Sequence, residues 1–405
     1  MIQLADKYHC TGCSACAQVC AHQAIQMLPD VEGFFFPKID DKVCVECGLC
    51  SKYCPELHPI AKLDYSVQKS YAFINYEDRK ISSSGGAFSL FAKWILCQGG
   101  VVFGAAMDEH FVVKHIGISS VDDLNKLRGS KYVQSVIGDS YKQVRECLKN
   151  EKKVLFTGTG CQVAGLYAFL KGKRYEGQLI TLDLVCHGVP SQAAFSCYLE
   201  KLKKIDRSSS GNIDGFRFRK LDSWDYRPAV KFAKSKWHIL TLWENAYMNA
   251  FFKGIIYRES CYNCSYCNME RIGTCTIADF WGIGKHGVPF SKNVASGVSL
   301  VIDNTNLIPK IRSELDKTAY IEERTIEEAM IEQVNLKHPM RRLPEREYAI
   351  GLLMAQNVSL QDFAKKCGLS YKPTIKWRLK KVFKDLIYSL GAYNFYKTLI
   401  YKIGK

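Results

Sequence analysis

Cys10, Cys13 and Cys16 recur at every third residue and are followed by Cys20; Cys44, Cys47 and Cys50 repeat the run and are followed by Cys54, with Pro55 directly after it. Thiolates at this spacing let a single loop wrap a cubane iron-sulfur cluster, and a more distant cysteine supplies the last iron ligand. Where the run occurs twice, the fourth cysteine of each run ligates the other cluster. Cys10, Cys13, Cys16 and Cys54 are therefore expected to hold one 4Fe-4S cluster, and Cys44, Cys47, Cys50 and Cys20 the second. Zinc also accepts four thiolates, and a disulfide framework suits small secreted domains. Zinc sites usually show two CxxC pairs rather than a tight triple plus one. The doubled run thus favours iron-sulfur chemistry over both.

A third group follows at Cys261, Cys264 and Cys267, with Cys275 eight residues on, before the apolar-aromatic TIADFWGIG. In a local arrangement all four ligate one cluster; in a distributed one, Cys161 and Cys186 join Cys261 and Cys264. Spacing alone favours the local set. Cys97, Cys147, Cys197 and Cys367 stand alone and read as ordinary buried thiols. Two turns are rich in small residues: Ser82, Ser83, Ser84, Gly85 and Gly86 before an apolar helix over 88–96, and Thr157, Gly158, Thr159 and Gly160 before CQVAGLYAFL. Free N–H groups at a helix start favour an anion, although ordinary N-capping explains such starts without one. His187 follows Cys186 at the end of the buried-strand pattern LITLDLVCHGVPS, where α/β proteins present ligands. It is a candidate proton donor, or a hydrogen-bond partner for a sulfur or carbonyl.

The elements that must position these residues change character along the chain. Between the cysteine runs, AIQMLPDVEGFFFPKID alternates as a short hairpin packing over the clusters, with Phe34, Phe35 and Phe36 excluding water. Residues 62–68 read as linker. From Ser70, apolar runs alternate with helical stretches: YAFINY, the helix after the serines, the charged helix-like VDDLNKLRGSKYVQS, and the strand at KVLFTGTG. DRSSSGN reads as a flexible connection, and FRFRKLDSWDYRPAVKFAK as exposed antiparallel strands. The expected fold is an α+β ferredoxin domain followed by an α/β body and a basic helical C-terminal tail.

Composition sets the limits. At 405 residues and 47% hydrophobic content, two or three globular domains are expected. No basic segment with an apolar stretch opens the chain, so a cytoplasmic location is expected, where eighteen cysteines are better explained by metal ligation than by bridges. No apolar run reaches the roughly 18 residues that a bilayer span requires. Half of the net charge of +16 lies in the stretch after Leu369, where nine lysines and arginines face Asp385 alone. There Ile375, Leu379, Val382, Phe383, Leu386 and Ile387 fall on one helical face and Lys376, Lys380 and Lys384 on another. Such a helix either packs on the body or lies on an anionic membrane surface, peripheral to its inner face. Nucleic acid is the weakest partner, since the charge sits in one helix with no accompanying binding motif.

Taken in order, SSSGGAF, RGSKYVQS, VLFTGTGCQVAGL, DLVCHGVPS and CYNC with TIADFWGIG resemble the beta subunit family of coenzyme F-420 hydrogenases and dehydrogenases, over roughly residues 8–303. The resemblance implies FAD on the body, an iron-sulfur cluster beside it, and a face where a deazaflavin or other substrate exchanges hydride. It makes Ser83, Ser84, Gly85, Gly86, Ala87, Lys131, Tyr132, Val133, Gln134, Thr157, Gly158 and Thr159 flavin contacts. It also favours the distributed third cluster on Cys161, Cys186, Cys261 and Cys264. Gly160 stands where the family usually has proline, and Cys275 where an acidic residue is common. The implied divisions are a two-cluster ferredoxin-type domain over 1–62, family N-terminal and C-terminal regions over 70–150 and 151–330, and the tail over 331–405.

The function expected on this basis is an oxidoreductase in which ferredoxin clusters exchange single electrons with FAD, and FAD exchanges hydride with a small-molecule substrate. Its partners are an electron donor or acceptor protein or a reduced cofactor. Lys131 and His187 are the candidate catalytic residues, Lys131 as a cation beside a flavin phosphate or anionic ring. The rival is a non-catalytic redox adaptor that docks to an enzyme or membrane through the tail.

Overall fold

The computed structural model describes residues 2–205, 212–221, 224–233, 235–284 and 289–369. The amphipathic tail from residue 370 onward and most of DRSSSGN lie outside them. Among the described residues no helix is long and apolar enough to cross a membrane.

The expected hairpin is present, with β1 (Ile25–Pro29) and β2 (Phe35–Ile39) pairing antiparallel between the cysteine runs. Each run carries one short helix, α1 (Ala15–Val19) or α2 (Leu49–Lys52). The hairpin borders the void lined by Cys20, Cys44, Cys47 and Cys50 through Ile25, and it also packs on the body. Phe34 joins a core built with Phe195, Tyr198 and Tyr247, and Ser191 Oγ donates to Glu32 O at 2.6 Å. Gly33, at φ +79°, lies where a Cβ would come within 2.3 Å of the Ala193 side chain, so the tip needs glycine for both its turn and its close approach.

The body is built on an eight-stranded mixed sheet. Its strands are β3 (Lys69–Asn75), β4 (Val101–Met107), β5 (Val113–Ile118), β6 (Val154–Thr159), β7 (Leu179–Leu184), and then, beyond a small separate sheet, β11 (Cys275–Asp279), β12 (Ser299–Asp303) and β13 (Ala319–Arg324). The small sheet is β8 (Ile213–Arg217), β9 (Ala229–Phe232) and β10 (Trp237–Ile239), all antiparallel. The large sheet runs in the order β13-β3-β12-β11-β7-β6-β4-β5. Its centre, β4, β6, β7 and β11, is parallel. These strands read as continuous apolar runs because helices cover both faces: α3 (Ala87–Leu96) on one side, α5 (Ser140–Lys149) and α6 (Gly160–Phe169) on the other.

Strands on either side of residues 150/151 share one sheet, since β4 pairs with β6. Other expectations change here. The charged stretch after Ser120 is not one helix: α4 covers only Leu124–Leu127, and residues 128–135 form a loop. Strands β8 and β9 are not exposed, because Phe216, Val230 and Phe232 are buried against α7 (Gln192–Lys203) and α8 (Ala246–Lys253). Within the stretch expected as a helical tail from 331, helices over Arg346–Met354 and Leu360–Lys366 contribute Leu353 and Phe363 to that same core. The linker is tied down: Tyr65 Oη donates to Arg271 O at 3.1 Å and Gln68 Nε2 to Asn304 Oδ1 at 2.8 Å.

Candidate functional site

The carboxyl ends of the parallel strands open into one cavity of about 300 Å³, at the lower end of volumes usual for small-molecule sites. This is where an open α/β sheet presents its ligands. Strand β6 contributes Thr157, Gly158 and Thr159, the residues after β7 contribute Cys186 and His187, and β11 contributes Asp279. Ser83, Ser84, Gly86 and Ala87 line it from the start of α3, and Lys131, Tyr132, Val133 and Gln134 from the 128–135 loop. Gly85 does not line it. It lies against the sheet, where a Cβ would meet Phe73 O at 2.1 Å and Ser299 N at 2.4 Å. Glycine is thus needed there to let the serine turn approach β3 and β12.

Side-chain bonds fix this turn and loop together. Ser130 N donates to Ser83 Oγ at 3.0 Å, and Arg128 reaches Asp78 Oδ2 at 2.7 Å and Ser89 Oγ at 3.1 Å. Thr159 N donates to Gln162 Oε1 at 3.0 Å, so α6 caps part of its own amino end. Beneath the cavity, His115 Nε2 donates to Thr157 O at 2.9 Å while Ser135 Oγ donates to its Nδ1 at 2.8 Å. Burial pushes this imidazole down to about 4, which keeps it neutral.

Lys131 is not the solvated helix lysine that a charged helix would carry. Its Nζ donates to Leu127 O and Arg128 O, both at 2.9 Å, at the end of α4, and burial pushes the amine down to about 7. Burial likewise holds His187 below its ordinary range, next to Phe251 at a ring separation of 6.1 Å.

Sequence reasoning missed one end of the cavity. Arg219, nearly fully buried, pairs with Asp279 Oδ2 at 2.7 Å and lies over the Tyr226 ring at 4.8 Å. Trp281 stacks on Trp224 at 4.6 Å, and Tyr226 meets Phe252 at 4.8 Å. The only sequence signal was the alternation in FRFRK, which reads as strand patterning. Arg128 is paired with Asp78 and Arg219 with Asp279, which leaves Lys131 as the lining cation with no carboxylate at ion-pair distance among the described residues.

The cysteines sort into groups beside this cavity. Cys20, Cys44, Cys47 and Cys50 border one void near the surface, the set expected for the second cluster. Cys10, Cys13, Cys16 and Cys54 are neighbours: Cys10 and Cys54 both act electrostatically on Cys16, whose thiol burial pushes up to about 12. Cys161, Cys186, Cys261 and Cys264 border another void together with Cys267. Burial pushes Cys186 and Cys261 up to about 12 as well. Among the described residues no three ligating side chains converge as a single metal ion would require; the second and third sets border voids instead. Buried thiols raised in this way become ligands only when a metal takes the place of the proton.

Cys275 stands apart from the third group. It points into the core between β11 and α3 and donates to Asp303 Oδ1 at 3.9 Å, so the local four-cysteine set is not assembled. Arg271 shapes the loop that carries Cys264 and Cys267. It pairs with buried Asp183 Oδ1 at 2.7 Å and donates to Tyr266 O and to Asn268 O. A Cβ on Gly160 would come within 2.8 Å of Tyr266 Cβ, which explains why glycine rather than a ring residue precedes Cys161.

Buried cysteine groups leading to a cavity at the strand ends define an iron-sulfur electron-transfer protein of the oxidoreductase class. Residues 9–57 match the 4Fe-4S dicluster domain, and residues 151–329 match the family described as the C terminus of the beta subunit of coenzyme F420 hydrogenase/dehydrogenase. These matches support the coenzyme F420 hydrogenase/dehydrogenase beta subunit family for residues 151–329, with a dicluster ferredoxin segment ahead of them. A chain of the xenon-derivatised F420-reducing [NiFe] hydrogenase complex from Methanosarcina barkeri is similar at a TM-score of 0.45 and 16% identity, over 75% of this chain and 97% of that one. No curated protein matches.

Proposed function

We propose that the protein is a flavin- and iron-sulfur-dependent oxidoreductase. In it two ferredoxin clusters exchange single electrons, through a third cluster on Cys161, Cys186, Cys261 and Cys264, with FAD in the strand-end cavity. One observation carries this reading: Cys161, Cys186 and His187 line both the void of the third cysteine set and the strand-end cavity. A group held by those thiols would share a wall with whatever fills the cavity.

FAD when bound supplies the conversion between single electrons and a hydride. The chain's own residues supply the rest. Lys131, with the Arg128 and Arg219 guanidinium groups that Asp78 and Asp279 hold in place, lowers the cost of negative charge in the cavity, as phosphates and a reduced ring require. Tyr226, Phe251, Phe252 and Trp281 give it an aromatic wall suited to a flat organic substrate such as a deazaflavin. Neutral His187 holds a single N–H at the boundary between void and cavity. The electron partner is a donor or acceptor protein or a reduced cofactor. The adaptor reading depends on the tail, outside the described residues.

Purification without oxygen, followed by assay of flavin, iron and sulfide, tests the proposal. FAD is expected together with iron and sulfide for three clusters per chain. A preparation with full clusters that cannot be loaded with flavin removes the hydride chemistry. Bleaching of the flavin band by reduced deazaflavin, reduced nicotinamides or ferredoxin identifies the donor.

A further inference from the structure

Five arginines are buried among the described residues. Four of them face carboxylates: Arg219 meets Asp279, Arg271 meets Asp183 and Arg324 meets Glu328, each at 2.7 Å, and Arg346 meets Glu32 at 2.7 Å and Glu259 at 2.9 Å. Arg258 has no carboxylate at ion-pair distance among the described residues. Its Nε donates to Cys10 O at 2.7 Å, its Nη2 to Cys10 Sγ at 3.7 Å, and its Nη1 to Gln134 Oε1 at 3.4 Å. The guanidinium lies over the Phe36 ring at 4.0 Å and 5.7 Å from that of Phe34. A permanently protonated group held in a dry site without a counter-charge is strongly unfavourable. The negative charge that offsets it must come from what Cys10 ligates. The chain is shaped to bring the two together. Gly12, at φ +68°, lies where a Cβ would come within 3.0 Å of Arg258 Nη1 and 2.9 Å of Gln134 Nε2, and Arg258 N is anchored to Val189 O at 3.0 Å.

We propose that Arg258 is a positioning residue that raises the reduction potential of the cluster on Cys10, Cys13, Cys16 and Cys54. The inference rests on the two-cluster reading above. When that cluster takes one electron from a one-electron donor, no bond is made or broken and its charge becomes more negative by one. A buried cation within hydrogen-bond reach of a ligating sulfur favours the more negative state, and hydrogen bonds to sulfur, local charge and exposure are what set such potentials. Among the described residues the second set has no such cation: Cys20 Sγ accepts from the neutral amide of Ala24 at 3.4 Å, and Cys47 is exposed. Arg258 also precedes Cys261 by three residues and favours its thiolate, so the cation lies between the first cysteine set and the third and draws electrons inward.

The test is a potentiometric titration with dithionite, followed by electron paramagnetic resonance, on the full chain and on Arg258→Gln and Arg258→Lys. Iron and sulfide are counted in each preparation. The midpoint of one ferredoxin cluster is expected to fall in Arg258→Gln by about tenfold in its reduction equilibrium, about 59 mV for one electron. The other ferredoxin cluster is expected to stay in place, and Arg258→Lys to lie in between. In a Cys47→Ala background, where the outer set is incomplete, the shifted signal is expected to persist. Unchanged midpoints in Arg258→Gln, or an equal fall in every cluster, overturn the proposal. If the glutamine variant loses its iron, parental midpoints in Arg258→Lys overturn it. Fewer than two ferredoxin-type clusters in the parent overturn the two-cluster reading itself, and the role of Arg258 with it.

Discussion

Lys131 combines an amine depressed to about 7 with a place in the lining of the cavity. At that value about half of the molecules carry the charge at neutral pH. An anion bound nearby favours the protonated form and pulls the value back up, so FAD binding is expected to take up a proton and to tighten as pH falls from about 8.5 to about 6.5. Calorimetric titration in buffers of different ionisation enthalpy measures that uptake. Lys131→Met is expected to flatten the pH profile; a parent that is already flat separates Lys131 from the bound anion. Residue identity was legible in the sequence where spacing alone defines chemistry, as in the doubled cysteine run. It was not legible where the third dimension chooses among equivalents. Cys267 and Cys275 are both candidates on spacing, yet Cys267 borders the void while Cys275 lies on a strand beside Asp303. Only the strand's alternation and the position of Asp303 separate them.

At the scale of the element, α6 joins the ferredoxin segment to the cavity. Cys161 occupies its first turn, and Gly165, one turn on, faces the other cysteine set: a Cβ there would lie 2.9 Å from Cys13 Cβ and 2.7 Å from Tyr141 Oη. The helix thus holds Cys13 and Cys161 close enough that each affects the other's charge. Gly165→Ala is expected to push the Cys13 loop outward, at an overpacking cost of about 1–3 kcal/mol, and to lose iron from the first set. Retained iron with an unchanged melting temperature would mean that the loop yields freely. Strand β6 and helix α6 were readable from an apolar run followed by a helical pattern. The importance of Gly165 was not, because its partner is Cys13, far away in the chain. The 128–135 loop was misread for a related reason: its charges suit a helix, but its bonds to Ser83, Asp78 and Ser89 are long-range.

For the whole molecule, the proposed function separates an electron end from a hydride end. The outer set includes exposed Cys47, the first set is largely buried beside α6, and the third shares residues with the cavity. The electron end is fixed to the body by the fork of Arg346 on Glu32, at 2.7 Å to each oxygen, and by Phe34 in the body's core. The ends should therefore fail separately. Cys47→Ala is expected to lose one cluster's iron while leaving FAD content unchanged, because Cys47 is remote from the cavity lining. Reduction of its flavin by a one-electron protein donor is then expected to lose most of its rate, whereas a small hydride donor that enters the cavity directly should bleach the band as in the parent. Stopped-flow absorbance under both donors reads the split. Equal loss with both donors would mean that the outer set supports the cavity itself, and equal retention would mean that electrons enter elsewhere, with the exposed second set outside the path.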